Sequence, residues 1–519
     1  MHDFDDALSP GSPEDRPIAP DELAPPPDVI LVEPKKIGHP VVAWIAIVTL
    51  VCLIFVVRIV ISSMEPPEDE STHAKDMGFL VMSLQAKYVV GLAHLTSQGT
   101  SVYTSLQSLN TGSVDQRLAF VVLAGELEGP AEAGKQLENL QKRLDEHKEK
   151  LKQSGEVLTP DQKRLLEVLG NLYRDYEDGD MKASSLSEKD RALLEAELGW
   201  LGKLALAPAK GPDPATRQAI LDSATRTFIA VIATFFLALP VGFLGFVGLV
   251  VFLIFLLSGR LRTGIHPGGA RGGVYAESFA LYLFIFSAIN FGSMVVPAAR
   301  EWMLTISTGA AILSLVLALA WPVLRGVSWK QVREDVGFNL GRRPALEPVI
   351  GVGGYAMTLP ILAVGVLIMI MLMVLAGGVQ QLFGGAPDEF SPKTAPAAHP
   401  IVFVLINSDW WTRLQIYVLA CIVAPLVEET MFRGVLYRHL REATARLGFF
   451  LSMFLSCMVV SFIFAVIHPQ GLLAVPVLMA LAFGFNLVRE WRGTLVPGMV
   501  AHGLNNGLVI TATIFLFGN

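Results

Sequence analysis

Residues 424–440 read APLVEETMFRGVLYRHL, and the rest of the chain is understood from this stretch. Two adjacent glutamates, Glu428 and Glu429, and an arginine, Arg433, stand in an otherwise apolar segment. The uncharged run before them, Leu414 to Val427, has the composition of a membrane helix. Ionisable side chains at bilayer depth cost a few kcal/mol each even on lenient insertion scales, so they mark function by default. On a helix Glu429 and Arg433 stand at i and i+4 in the favourable acid-before-base order, and they pair. Glu428 points about 100° away and lacks that partner. One glutamate reads as structural and the other as available.

Two further pairs lie downstream. Phe464 and His468 (FAVIH) close the next apolar run, and His502 and Asn506 (HGLNN) lie inside the last. Each pair is spaced i, i+4 and shares one helix face. EExxxR, FxxxH and HxxxN in that order, on successive apolar runs, resemble the CPBP family of intramembrane proteases. That family contains the CAAX prenyl endopeptidases, their bacterial relatives and bacteriocin-immunity-type members. The likeness covers roughly residues 326–519.

Composition sets the class. With 519 residues, 52% of them hydrophobic and 17% charged, this is an integral membrane protein with a polar part. The net charge of −7 argues against a nucleic-acid partner. Cys52, Cys421 and Cys457 all fall in apolar runs and read as packing residues, with no disulfide framework and no metal-binding CxxC. No signal peptide is read at the start, because the first apolar run is too long and too late.

In chain order, residues 1–38 are acidic, proline-rich and aperiodic, a disordered tail. Residues 39–63 hold the first span, with Arg58 snorkelling near its end. Residues 64–225 are polar and helical, an extramembrane domain inserted after that span. Thr159-Pro160-Asp161-Gln162 predicts a capping box with proline at the first helical position, and Ser187 and Asp213-Pro214 predict further helix starts. Leu137, Leu140, Leu144 and Leu151 form a short apolar stripe. Spans follow at 228–258, 278–298, 303–324 and 348–378, the first three filling residues 226–325. A polar connection at 379–410 ends in an interfacial Trp410-Trp411. The motif helices occupy 412–436, 448–468, 471–488 and 494–517. The fold class is therefore all-α, a polytopic bundle of about nine spans, with the protease-like domain at 326–519.

Alternate counting from a cytoplasmic N-terminus gathers the basic residues into the inward loops. These are Arg260, Arg262 and Arg271; Lys330, Arg333, Arg342 and Arg343; Arg438, Arg441 and Arg446; and Arg489 and Arg492. The outward connections hold few, Arg300, Lys393 and Arg413. Residues 64–225 and the C-terminus then face outward; in a bacterium the membrane is the inner one and the domain periplasmic. One geometric problem follows. Glu428 falls near the inner end of its helix, whereas a straight span from 448 carries His468 to the far side. Convergence requires that helix to tilt, to start deep, or to stop at His468-Pro469.

Peptide hydrolysis needs an activated water, a proton carrier for the leaving amine, and donors for the oxyanion. Glu428 suits a general base or acid, His468 a water holder or proton shuttle, and His502 with Asn506 the oxyanion contacts. The resemblance implies the same roles for these four residues, with Glu429, Arg433 and Phe464 in support. Glu428, His468 and His502 are also a zinc-type donor set with an open fourth position, although HExxH is absent. A divalent metal, zinc first, is thus one expectation, and the enzyme is metallo- or glutamate-type. His439 reads as headgroup-facing, Arg489 and Arg492 as interfacial anchors, and His73, His94, His147 and His266 as ordinary surface, core or loop residues.

The expected function is an intramembrane endopeptidase acting on a membrane-associated protein or peptide, prenylated or recognised by a C-terminal motif. The expected partners are this substrate, the lipid bilayer, and an outer-face protein at residues 64–225. Two alternatives come from other classes. A non-catalytic scaffold or immunity-type binding protein keeps Glu429–Arg433 and tolerates loss of Glu428 or His468. A proton-coupled transporter uses the buried carboxylate as a relay and calls for inverted repeats, which the sequence does not display.

Overall fold

A computed structural model describes residues 37–63, 77–96, 102–104, 106, 110–153, 158–261, 263–265, 272–295, 302–382 and 401–517. The readings for the 1–36 tail, the Arg58, His147 and Leu151 side chains, His73, Arg262, His266, Arg271, Arg300 and Lys393 lie outside these residues. Among the described residues the chain is helical without a strand, and ten helices are long and apolar enough to cross a membrane. Nine coincide with the spans read from the sequence. The tenth, α2 (Met77–Thr96), has the lowest mean hydropathy of the set, 1.2.

After α1 (Pro40–Ser63), α2 joins a helical domain of α3 (Val114–Glu128), α4 (Pro130–Gln153), α5 (Pro160–Glu177), α6 (Glu188–Leu198) and α7 (Trp200–Ala205). The stop and start signals act locally. Thr159 and Gln162 cap α5 reciprocally, Ser187 and Asp190 cap α6, and Ser113 with Gln116 forms a third box at α3. One apolar core unites these helices, with Leu118, Phe120, Leu123, Leu169 and Leu194 sealed inside. Leu137, Leu140 and Leu144 of the predicted stripe join it.

The 44-residue α8 (Pro214–Leu257) connects this domain to the bundle. At 1.5 Å per residue it is about 66 Å long, twice the hydrocarbon thickness. Its first turns add Ile220, Leu221 and Ala224 to the domain core, whereas residues 235–257 expose Phe and Leu side chains as a lipid-facing surface does. Gly91 of α2 lies so close to α8 that a Cβ there would stand 2.4 Å from the Ala224 carbonyl.

The bundle continues with α9 (Val274–Val295), α10 (Met303–Leu324), the short α11 (Trp329–Val336), α12 (Glu347–Leu382) and α13 (Ile401–Asn407). The motif helices follow: α14 (Trp410–Ala443), α15 (Phe449–Ile467), α16 (Val475–Arg492) and α17 (Val496–Phe517). Polar contacts tie many helix ends together at one end of the bundle. Val274 N–H donates to the Ile37 carbonyl, Trp44 Nε1 to His439, Tyr275 to Asp335, and Gly264 N–H to the Glu490 carbonyl. Arg492 grips Glu347 through two hydrogen bonds of 2.7 and 3.0 Å. These contacts correct three readings. His439 is buried against Trp44, Arg489 is buried among backbone carbonyls, and Arg492 is held by an acid rather than by a headgroup.

Candidate active site

α14 is longer than the sequence suggests, and that settles the depth problem. It runs on past residue 436 to Ala443, which places Glu428 about 22 Å from its end. α15 starts at Phe449, runs antiparallel, and stops at Ile467, so that His468 caps it in an extended conformation before Pro469. The turn from α16 to α17 is recessed. Thr494 and Leu495 are buried, and Leu495 N–H donates to the Gly337 carbonyl at the end of α11. This recess raises the start of α17 to the level of Arg433 and Gly434, whose neighbours include Arg489 and Leu495. Three helices of different starting depth thus converge.

Two stretches of α14, Leu419–Val423 and Glu429–Leu436, wind as π-helix, with Ala424 N–H reaching back to Leu419 and Tyr437 N–H to Phe432. Such wider turns recur at functional sites. Each residue in them rotates by less than the α-helical step, and here both glutamates meet His502. Glu429 Oε1 lies 3.0 Å from His502 Nδ1 and 3.1 Å from Arg433 Nη1. Glu428 Oε2 lies 3.8 Å from Nε2 of His502 and 3.8 Å from Nε2 of His468. The other His468 ring nitrogen bonds the Phe464 carbonyl, which aims Nε2 at the carboxylate.

Burial divides the group in two. Glu429 and Arg433 are sealed, at 1% and 0% side-chain exposure, and His502 keeps 5%. Glu428 and His468 remain partly open, at 22% and 19%. The Arg433 guanidinium sits 4.7 Å from the Phe464 ring and 5.5 Å from Phe485, aromatic faces that favour a desolvated cation. Phe464 also packs on His468, with ring centroids 4.2 Å apart. Gly498 makes room for Glu429, since a Cβ there would come within 2.8 Å of Oε2.

Six of the seven residues named from the sequence therefore meet. Asn506 stands apart: its side-chain amide donates to the Ala420 carbonyl at 2.8 Å and accepts from Asn505 at 3.1 Å. One of its amide hydrogens is thus engaged in the first π-helical stretch. Sequence reasoning missed Phe485, Gly498 and Tyr282. Tyr282 belongs to α9 and is buried edge-on to Phe432. No motif signals it, because its helix reads only as apolar.

A zinc site needs its donors to converge at about 2.0–2.2 Å from one point. Among the described residues no group of three His, Cys, Asp or Glu side chains is arranged to hold a metal ion. In the donor set that expectation names, Glu428 Oε2 stands 3.8 Å from Nε2 of both His468 and His502.

Residues 409–508 match the family model described as Type II CAAX prenyl endopeptidase Rce1-like. No curated protein and no solved structure matches the chain. The matched stretch, 409–508, holds all three motifs and both histidines facing Glu428, and there the chain is similar to the Rce1-like type II CAAX prenyl endopeptidases.

Proposed function

We propose that this chain is an intramembrane endopeptidase that hydrolyses a peptide bond of a membrane-associated protein or peptide. One observation carries the reading: a single partly open carboxylate, Glu428, faces two imidazole nitrogens from different helices at 3.8 Å each. Separations of this size are too long for direct hydrogen bonds and suit a shared water. Glu428 takes a proton from that water as it attacks the scissile carbonyl. His468, the more open of the two histidines, carries the proton to the leaving amine. His502, when doubly protonated, donates Nδ1–H to Glu429 and Nε2–H to the developing oxyanion, with the remaining amide hydrogen of Asn506 as second donor.

The resemblance extends the substrate to proteins cleaved near a C-terminal motif, prenylated ones among them. The end of the bundle that gathers Lys330, Arg333, Arg342, Arg343 and Arg446 is the cytoplasmic one by the positive-inside rule. On this reading the N-terminus lies inside, and the helical domain and C-terminus outside.

Cleavage of a quenched C-terminal prenyl-peptide library in reconstituted membranes tests the reading. Wild type is compared with Glu428→Ala and His502→Ala, each with and without a chelator. Wild-type cleavage lost in both variants supports this site; cleavage unaffected by both removes it.

A further inference from the structure

A seam of buried polar groups runs from the two glutamates to the basic end of the bundle. Arg433 Nη2 donates to the Ala482 carbonyl at 3.2 Å. Arg489, two turns further along α16, donates from Nε to the Arg433 carbonyl at 3.3 Å and from Nη2 to the Val336 carbonyl at 2.8 Å. Its guanidinium lies against Gly337, which turns with φ +78°; a Cβ there would stand 2.4 Å from Nη2. Beyond Gly337 the chain surfaces at Phe338, Asn339 and Leu340, all exposed. Between the two arginines Asn486 donates to the Cys457 carbonyl and the Ser461 hydroxyl. Glu429, Arg433, Asn486 and Arg489 are all buried.

Every station of this seam keeps a buried polar atom without a hydrogen-bond partner in the protein: Arg489 Nη1, Asn486 Oδ1, Arg433 Nε and Nη1, Glu429 Oε2 and Glu428 Oε2. Arg433 Nη1 is near Glu429 but lacks the alignment of a hydrogen bond. These six are two thirds of the nine such atoms among the described residues, so they concentrate in one place. Three of them are donors and three are acceptors. A bound cation or anion would need one polarity; water, which donates and accepts, suits the mixture, and buried waters typically make about three such bonds.

We propose that this seam binds a file of water molecules joining the aqueous face beside Gly337 to Glu428, and that the water consumed in hydrolysis arrives by it. The file itself is independent of the protease reading; its role as supply rests on that reading.

Radiolytic hydroxyl-radical footprinting of the full chain in lipid nanodiscs tests it, because radicals form from water where water is bound. Cys457 and Phe485, both fully buried beside the seam, are expected to oxidise at least several-fold faster than Phe120, equally buried in the dry core of the helical domain. Asn486→Leu is expected to lower labelling of both and to lower kcat with KM unchanged, Phe120 staying protected as evidence of folding. Labelling of Cys457 and Phe485 no faster than Phe120 in wild type overturns the proposal, whatever the variant does. Fast labelling in a protein without hydrolytic activity upholds the water file and removes only the supply role.

Discussion

Glu429 holds His502: its Oε1 lies 3.0 Å from Nδ1 of the imidazole, leaving Nε2 to face Glu428 at 3.8 Å. The glutamate paired with Arg433 thus has two partners and links the first motif to the third. A carboxylate on one ring nitrogen fixes how the other is presented, which is how histidine sites are commonly oriented. Glu428 has no such tether.

The two glutamates are therefore expected to fail differently. Glu428→Gln keeps the bundle intact and lowers hydrolysis by about 10²–10⁴-fold, the usual contribution of a general base. Glu429→Gln leaves Arg433 as an uncompensated buried charge, a loss of about 3–5 kcal/mol. Thermal unfolding in detergent, run beside turnover, separates the two. A Glu428→Gln protein that unfolds like Glu429→Gln contradicts the division.

Gly498 gives a more selective probe of that tether. Alanine there places a methyl group against Glu429 Oε2, an overpacking cost of about 1–3 kcal/mol, and tilts His502 with it. Gly498→Ala is expected to lower kcat at least tenfold. Shortening the acid in Gly498→Ala/Glu429→Asp should recover part of that loss. Additive losses in the double variant would show that Gly498 acts elsewhere.

The span pattern was legible because apolar runs and their charges are local facts. Thr159, Ser187 and Asp213 set the helix starts the sequence predicts, each accepting from the backbone N–H three residues on. What escaped depends on tertiary contact. The continuation of α14 to Ala443 rests on Tyr437 and Arg441 meeting Glu490 in the interior, so a basic stretch that reads as interface is buried. Arg489 misleads for the same reason. The π-helical winding that brings both glutamates to His502 has no compositional mark, and neither has Tyr282 on a helix outside the three motifs.

The helical domain of α3–α7 carries a pH dependence of its own. Asp190 accepts from the Ser187 hydroxyl and from Arg164, and these contacts hold its carboxyl below the ordinary aspartate range. Its contribution is complete above the ordinary aspartate value and is lost as pH falls through the lower folded value. Asp190→Asn is expected to lower the unfolding temperature of the domain at neutral pH and to narrow its gap from wild type in strong acid. Hydrogen exchange of α6 amides in the full chain, followed against pH, reads this out; a gap that widens in acid refutes it.

Asn506 is the residue whose two possible jobs the geometry sets against each other. One amide hydrogen is spent on the Ala420 carbonyl, inside the first π-helical stretch, where the irregular ladder benefits from a side-chain donor. The other is the hydrogen that the proposed mechanism gives to the oxyanion. Removing a brace alone costs about 1–3 kcal/mol of stability, whereas removing an oxyanion donor costs about 10²–10³ in kcat. Asn506→Ala is expected to do both, with KM close to wild type because the interaction forms only in the transition state. Turnover within tenfold of wild type, together with a lowered unfolding temperature, would leave Asn506 as a brace for Ala420 and assign the oxyanion to His502 alone.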